Sequence, residues 1–315
     1  MTVRFQASTI PRAAFGSTCG FRDLHWGQNA VQGDFSSSTR EERIRQVPFH
    51  PCMHEQAHHQ IARLHLPVAA KCNIRCGYCE REVSSRAAFV VAPGVSASVL
   101  SPRQALAKAR DFLDYWGNSA VVGIAGPGEP LANEQTLETL SLIRREYPQI
   151  TLCLCTNGLN LPDQCEDLRM LGVRYLTVTI NGFDPSVVAQ IQSTVNKAGL
   201  VYEGEHAAQV LIQSQMKGLM RAVEVGMIVK VNYVVIPEIN GTHVTSTAQR
   251  VRDLGARVFN PIPLIPRGLF RNMNKPDDRY MIRLRAQCGT IMPVFGQCKQ
   301  CRADAEGIPG KERAR

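Results

Sequence analysis

The sequence predicts an α/β protein built on a parallel sheet, an incomplete barrel of six βα units. Short, nearly continuous apolar runs recur along the chain, amphipathic stretches separate them, and turns rich in Gly, Pro and Asn follow the runs. Runs buried on both faces and joined by helices belong to parallel sheets, in which successive strands need a helical crossover. A chain of 315 residues suffices for one such core.

Taken in order, residues 1–47 mix Ser, Gly, Thr and Arg without periodicity and predict a flexible N-terminal extension, in which Cys19 and His25 are incidental. Phe49-His50-Pro51-Cys52 then caps a helix over 53–65. The 3.6-residue period places His54, His58, Ile61 and His65 on one face of it. Strands are expected at 66–70, 120–125, 151–155, 174–180, 228–236 and 257–264, with helices near 102–116, 134–147, 163–171, 205–225 and 243–254. The barrel with its His-Pro-Cys segment thus occupies 48–265, and 266–315 form a C-terminal extension carrying a C-x2-C pair.

Composition narrows the function. The net charge of +9 comes from scattered Lys and Arg with no dense run, which argues against nucleic acid and fits docking of an acidic electron donor or carrier protein. No apolar run approaches the roughly 20 residues a membrane span needs, and no compact signal core opens the chain. A cytoplasmic protein without membrane partners is expected. Eleven cysteines in local groups point to metal ligation in a reducing, oxygen-poor setting rather than to a disulfide framework.

The chemistry centres on Cys72-Asn73-Ile74-Arg75-Cys76-Gly77-Tyr78-Cys79, after the first predicted strand. Three thiolates at this spacing hold three irons of a [4Fe-4S] cubane and leave the fourth open. That iron can chelate the amino and carboxylate groups of S-adenosylmethionine (SAM) and pass an electron to its sulfonium. A structural zinc site is the plainer alternative, but zinc usually takes four ligands in two close pairs. The C-x3-C-x2-C spacing, with Tyr78 before the last cysteine, resembles the signature of the radical SAM superfamily.

In parallel βα architectures the ligand site lies at the carboxyl ends of the strands, so the loops there matter most. Gly126-Pro127-Gly128-Glu129-Pro130 follows the second strand. The superfamily resemblance implies that Glu129 grips the methionyl ammonium of SAM, with Tyr78, Gly126, Gly128, Asn157, Asn181 and Asn232 as further contacts to the cofactor or its loops. Asn and Gly at strand ends are otherwise ordinary turn residues. Cys298-Lys299-Gln300-Cys301 could be a redox pair, half a zinc site or part of an additional cluster. Beside the three-cysteine loop the last reading is favoured, with Cys52, His50 and Cys153 as the soft groups to complete it.

Several stretches together resemble the NifB family. They are His50-Pro51-Cys52 with Glu55, Ala57 and His58-His59; Val68-Ala69 through Cys72-Asn73-Ile74; and Val121 through Asn133. Leu152-Cys153 with Thr156-Asn157-Gly158-Leu159, Lys230-Val231-Asn232 with Ile236-Pro237, and Cys298 to Gly307 complete the match. The resemblance implies a radical SAM enzyme that assembles the core of the nitrogenase cofactor. Two [4Fe-4S] precursor clusters receive a SAM-derived carbon, through methyl transfer to a cluster sulfide and radical hydrogen abstraction, and fuse into an eight-iron carbide core. It also implies that Cys72, Cys76 and Cys79 hold the radical-generating cluster, that His50, Cys52, Cys153, Cys298 and Cys301 hold the precursors, and that cluster donors, product carriers and a low-potential electron donor such as a ferredoxin or flavodoxin are partners.

Two stretches depart from the family pattern, Glu80 to Phe89 and Pro266-Arg267-Gly268-Leu269-Phe270, which also suits a divergent member acting on a related metallocluster. A radical SAM maturase of a peptide or small molecule with an auxiliary cluster is the alternative within the same chemistry. A zinc hydrolase using His54-Glu55-Gln56-Ala57-His58, formally H-E-x-x-H, is the alternative outside it. For Cys155, Cys165 and Cys288 burial in packing is the expectation.

Overall fold

The computed structural model describes residues 47–86 and 90–312, so the expected N-terminal extension, with Cys19 and His25, lies outside the described residues except for Val47. In chain order come helix α1 (Glu55–Gln60), strands β1 (Arg63–His65), β2 (Ile74–Cys76), β3 (Glu82–Val83) and β4 (Val95–Ser96), and helix α2 (Pro102–Trp116). Strand β5 (Val121–Ile124), helix α3 (Glu134–Glu146), β6 (Thr151–Thr156), α4 (Leu161–Met170), β7 (Val173–Thr179) and α5 (Pro185–Ile191) follow. A hairpin of β8 (Gln192–Lys197) and β9 (Leu200–Glu203) leads to α6 (Gly204–Glu224), β10 (Ile228–Val235), α7 (Pro237–Asn240), α8 (Val244–Asp253) and β11 (Val258–Pro263). The chain closes with α9 (Asp278–Gly289), β12 (Glu306–Ile308) and β13 (Lys311–Glu312).

The main sheet has the order β11-β10-β7-β6-β5-β1-β12-β13. Its strands β1, β5, β6, β7, β10 and β11 are parallel, which realises the six expected βα units as a partial barrel. The C-terminal β12 runs antiparallel to β1 and closes that edge.

Alternation sorts the side chains into two layers. Leu64, Val122, Leu152, Leu154, Leu176, Val178, Val229, Val231 and Phe259 face the helices and share one core with Phe112, Leu140, Leu168, Leu219 and Val251. The opposite face is far more polar. The register aligns His65 with Gly123, Cys153 and Tyr175 in one layer. Cys155, Thr177 and Lys230 form the next, and Thr179, Asn232 and Asn260 a third toward the strand ends.

Helix α2 shows how local sequence sets these elements. Ser101 and Gln104 form a reciprocal capping box, Pro102 opens the first turn, and Ala105, Ala109, Phe112 and Leu113 make the buried stripe. Gly117 at φ 74° ends the helix.

Two boundaries differ from expectation. The helix expected over 53–65 covers only Glu55–Gln60, so His65 lies on β1 rather than on a helical face with His54 and His58. Six residues are too short to hold a helix by propensity, and Ala62 and Leu64 are drawn into the core instead. The first strand is accordingly Arg63–His65, not 66–70. Pro67 has no N–H to continue the ladder, and only an isolated bridge, Ala69 to Pro127, forms beyond it. Among the described residues no helix is long and apolar enough to cross a membrane.

Candidate active site

The three-cysteine loop emerges from the carboxyl end of β1 and is clamped from two sides. Strand β2 within it pairs antiparallel with β8, placing Cys76 opposite Gln192. Gly77 N donates to Ile191 O at 2.7 Å and Asn196 N to Asn73 O at 2.7 Å. From the other side, the loop after β11 lies directly on Gly77, where an added Cβ would stand 2.5 Å from the Phe270 ring. Arg267 of that loop reaches Glu80 at 3.3 Å and Glu82 at 3.2 Å.

The donor set suits an iron-sulfur cluster. Burial, and then the neighbouring Cys79 and Cys72 sulfurs, push the Cys76 thiol well up. Burial raises Cys72 and Cys79 as well. Burial holds these thiols protonated, so ionising all three takes a bound cationic metal centre. The buried Gln192 Oε1 and Asn73 Nδ2 have no partner among the described residues. Three corners of a cubane bind three different irons, so their thiolates stand further apart than ligands sharing one ion.

Glu129 sits where the second loop is stapled to the approach of the cysteine loop. Gly128 N donates to Ala69 O at 2.6 Å, Glu129 N to Lys71 O at 2.8 Å, and Asn133 Nδ2 to Lys71 O at 2.9 Å. A side chain at Gly128 would stand 2.2 Å from Lys71 O, so glycine is required by close approach. The Glu129 carboxylate accepts from Thr156 Oγ1 at 2.6 Å, Asn157 N at 2.7 Å and Leu131 N at 3.0 Å. A carboxylate has about four acceptor positions, so this leaves room for one more donor. Burial raises the carboxyl to about 7, against the lowering by these three bonds.

The asparagines at the strand ends bind one another's loops. Asn157 Nδ2 donates to Asn73 Oδ1 at 2.8 Å, which ties β6 to the cysteine loop. Asn181 Nδ2 donates to the Tyr78 hydroxyl at 3.1 Å, and Asn181 Oδ1 accepts from Val234 N at 3.0 Å. Asn232 Oδ1 accepts from Asn260 Nδ2 at 2.8 Å. Gly126 O accepts from Ala69 N at 3.3 Å.

A second thiol group lines the interior of the half-barrel. Cys52 interacts electrostatically with Cys155 and Cys298, Cys153 with Cys52 and Cys155, and Cys301 with Cys298 and Cys52. Two buried cations stand among them. Lys230 Nζ donates to Cys52 O at 2.9 Å, while Arg63 Nη2 reaches Cys301 Sγ at 3.1 Å and Nη1 donates to Gly307 O at 2.6 Å. The His50 ring stacks on Tyr175 at 4.5 Å and is held neutral, its pKa lowered to about 3 by burial and then by Lys230 and His65. His50 Nδ1 accepts from Cys52 N at 3.1 Å, and Nε2 is buried without a partner among the described residues. Ligation through Nε2 therefore requires the other tautomer and release of that bond. Cys298 packs against two apolar clusters, one of Ile191, Val234, Ile236, Ile262 and Leu264 that Tyr78 and Phe270 also flank, and one of Met53, Tyr175, Val258 and Phe295 that Cys153 also flanks.

Of the sequence-read candidates, Tyr78, Glu129, Asn157 and Asn181 are thus tied to the cysteine loop or its flanks, His50, Cys52, Cys153, Cys298 and Cys301 lie about the interior thiols, and the Asn232 side chain bonds Asn260. Cys165 and Cys288 are buried in the helix-side core, as expected. Cys155 is not; it faces the interior with Cys153. The i, i+2 spacing on a strand was the signal that could have placed it. Gln192 carried no signal, because its meeting with Cys76 depends on a hairpin far along the chain. The H-E-x-x-H histidines part company: His54 caps α1, and His58 Nδ1 bonds Pro51 O at 2.8 Å. Among the described residues no three His, Cys, Asp or Glu side chains converge on a single-ion site.

Comparison with known proteins shows the family of the chain. The family model described as the radical SAM superfamily matches residues 66–251. The chain is 42% identical to the FeMo cofactor biosynthesis protein NifB of Klebsiella pneumoniae, over 84% of this chain and 58% of that protein. It is 40% identical to the NifB of Methanocaldococcus infernus, over 82% of this chain and 85% of that one. The chain spans about three-fifths of the length of the Klebsiella relative. Among solved structures, a radical SAM methyltransferase from Sphaerobacter thermophilus superposes with a TM-score of 0.47 at 19% identity, covering 75% of this chain and 64% of that one.

Proposed function

Because the chain belongs to the NifB family within the radical SAM superfamily, we propose that it builds the iron-sulfur-carbide core precursor of the nitrogenase cofactor from two [4Fe-4S] substrate clusters. The observation that carries this reading is the interior thiol group, in which Cys52, Cys153, Cys298 and Cys301 interact with one another and lie beside the buried cations Lys230 and Arg63. A maturase of a peptide or small molecule would use the C-terminal cysteines for an auxiliary cluster and would leave His50-Pro51-Cys52 without a role. Thiolate-ligated clusters are anionic, and two buried cations offset that charge where water cannot.

A [4Fe-4S] cluster bound at Cys72, Cys76 and Cys79 would supply one electron to the sulfonium of one SAM, giving methionine and a deoxyadenosyl radical for hydrogen abstraction, while the methyl group placed on a substrate sulfide would come from a separate SAM. The chain's own part is to orient and to hold. Glu129 offers its remaining acceptor position to the methionyl ammonium, and its fixed carboxylate sets the position of the sulfonium. Tyr78 and Asn181 brace the loop, while Asn157 locks Asn73. The substrate clusters are held by His50, Cys52, Cys153, Cys298 and Cys301 from five separate backbone positions. Sparse ligation of this kind permits fusion and release, whereas four cysteines locked on each cluster would not.

Cluster donors, product carriers and a low-potential ferredoxin or flavodoxin are the partners this chemistry requires. The test is iron and acid-labile sulfide per chain after anaerobic purification, with EPR of the reduced protein before and after SAM. About twelve irons, with one SAM-sensitive cluster, support the reading. About four irons, all SAM-sensitive, would instead leave a maturase of a peptide or small molecule, with the chamber unexplained.

A further inference from the structure

We infer that Cys155 is an additional ligating thiol of the interior chamber, one rung above Cys153 on β6, able to grip a substrate cluster nearer the SAM-binding end. The inference rests on the chamber being a cluster-holding site and adds a residue to it.

The strand geometry comes first. Along β6 the burial alternates, with Leu152, Leu154 and Thr156 buried and Cys153 and Cys155 partly open on the other face. A β-strand advances about 3.3 Å per residue, so the two sulfurs stand roughly 6.6 Å apart along the barrel. Gly123 faces Cys153 from the neighbouring strand, and an added Cβ there would stand 2.4 Å from its sulfur. The lower rung is therefore kept open by the absence of a side chain.

The surroundings come second. Cys155 is aligned with Thr177 and, through it, with Lys230. Its sulfur interacts with those of Cys298 and Cys301 as well as with Lys230. The two cysteines that serve only packing look different. Cys165 and Cys288 are 1% and 0% exposed in the helix-side apolar core.

Position along the chain comes third. Cys155 directly precedes Thr156 and Asn157, whose hydroxyl and amide hold the Glu129 carboxylate. A cluster gripped at Cys155 is thereby linked through the next two residues of the chain, Thr156 ending β6 and Asn157 just beyond it, to the group that positions SAM. Ligation replaces the S–H bond with an S–Fe bond and releases the proton to solvent, with no change of oxidation state. The Lys230 ammonium offsets the charge of the thiolate that results.

The experiment compares the wild-type chain with Cys155→Ser and Cys155→Ala after anaerobic reconstitution with iron and sulfide. It measures iron per chain, iron release to a ferrous chelator, and the SAM-sensitive EPR signal. Both variants should keep that signal while losing substrate-cluster iron or releasing it at least about tenfold faster. Wild type and variants alike at about twelve irons, with equal release, would overturn the inference and leave the proposed function standing. Loss of circular dichroism in both variants would also overturn it, by showing a packing role. A wild-type chain with about four irons, all SAM-sensitive, would overturn the chamber reading and this inference with it.

Discussion

The Gln192 side-chain amide donates to the Cys76 sulfur at 3.7 Å, joining the insertion hairpin to the centre of the cysteine loop. Gln192 is 1% exposed, and its Oε1 has no partner among the described residues. An N–H aimed at a cluster thiolate favours the more negative, reduced form and raises the reduction potential. Gln192→Leu should therefore make the SAM-binding cluster harder to reduce. A tenfold weaker reduction equilibrium corresponds to ~59 mV for one electron, which an EPR-monitored potentiometric titration resolves. An unchanged midpoint would show that the bond does not reach a ligated sulfur.

Glu129 predicts a pH signature in the protein without SAM. Its carboxyl is raised from 4.5 to about 7 by burial, so the folded chain binds the proton more tightly than the unfolded one. That contribution is fully present below about pH 4.5 and is lost as the pH rises through 7, by about 3 kcal/mol at most. His50 and His65 work the other way. Burial lowers them to about 3 and about 4, and their contribution is present above pH 6.5 and lost on acidification. The difference between wild type and Glu129→Gln isolates the carboxyl: denaturant unfolding should show the variant gaining relative stability between pH 5 and 8. Parallel curves would mean that Glu129 is ionised throughout. With SAM bound, wild-type affinity should fall as the pH drops below 7, and Glu129→Gln should bind weakly at every pH.

Gly123→Ala probes the chamber through shape alone. The new methyl would stand 2.4 Å from Cys153 Sγ, in a strand that cannot easily retreat because both its neighbours are paired. Overpacking of this kind costs about 1–3 kcal/mol. Displacement of the thiol should also speed iron release to a chelator while the SAM-sensitive signal stays intact. Normal release with lowered stability would place the Cys153 sulfur outside the ligand set.

Much of this architecture was legible in the sequence, and the failures have physical causes. The strands at Val121–Ile124, Thr151–Thr156 and Ile228–Val235 were legible because each is a short run rich in Val, Ile, Leu and Cys, broken only at Lys230 and Asn232 in the last, between turn and helix signals. The first strand was misplaced because Leu66 to Ala69 is just as apolar but is buried as loop, Pro67 having ended the ladder. The hairpin Gln192–Glu203 was missed because its polar, partly exposed strands exist only through pairing with the cysteine loop. At the site, the three cysteines and Glu129 announced themselves by local spacing. Cys155, Gln192, Arg63 and Lys230 did not, since their roles depend on which strands the sheet sets side by side.

The two thiol groups should separate under mutation. Cys76 lies in the cysteine loop, its thiol raised by burial and then by Cys79 and Cys72, whereas Cys298 packs against two apolar clusters, one flanked also by Tyr78 and Phe270 and one also by Cys153. Cys76→Ala leaves two thiolates for the resident cluster, too few to retain it, and deoxyadenosine formation from SAM should fall to background. Cys298→Ala removes a chamber thiol but no ligand of the resident cluster, so SAM cleavage should persist at a rate within about threefold of wild type, well under the tenfold that 1.4 kcal/mol in the barrier would cost. Its iron content should drop and the eight-iron product should be absent. Cys298 flanks the same apolar cluster as Tyr78 and Phe270, which makes this a demanding test, because a merely structural disturbance would spread to the loop. Equal loss of deoxyadenosine in both variants, measured by chromatography of quenched reactions, would show that the chamber and the SAM site are one ligand system rather than two.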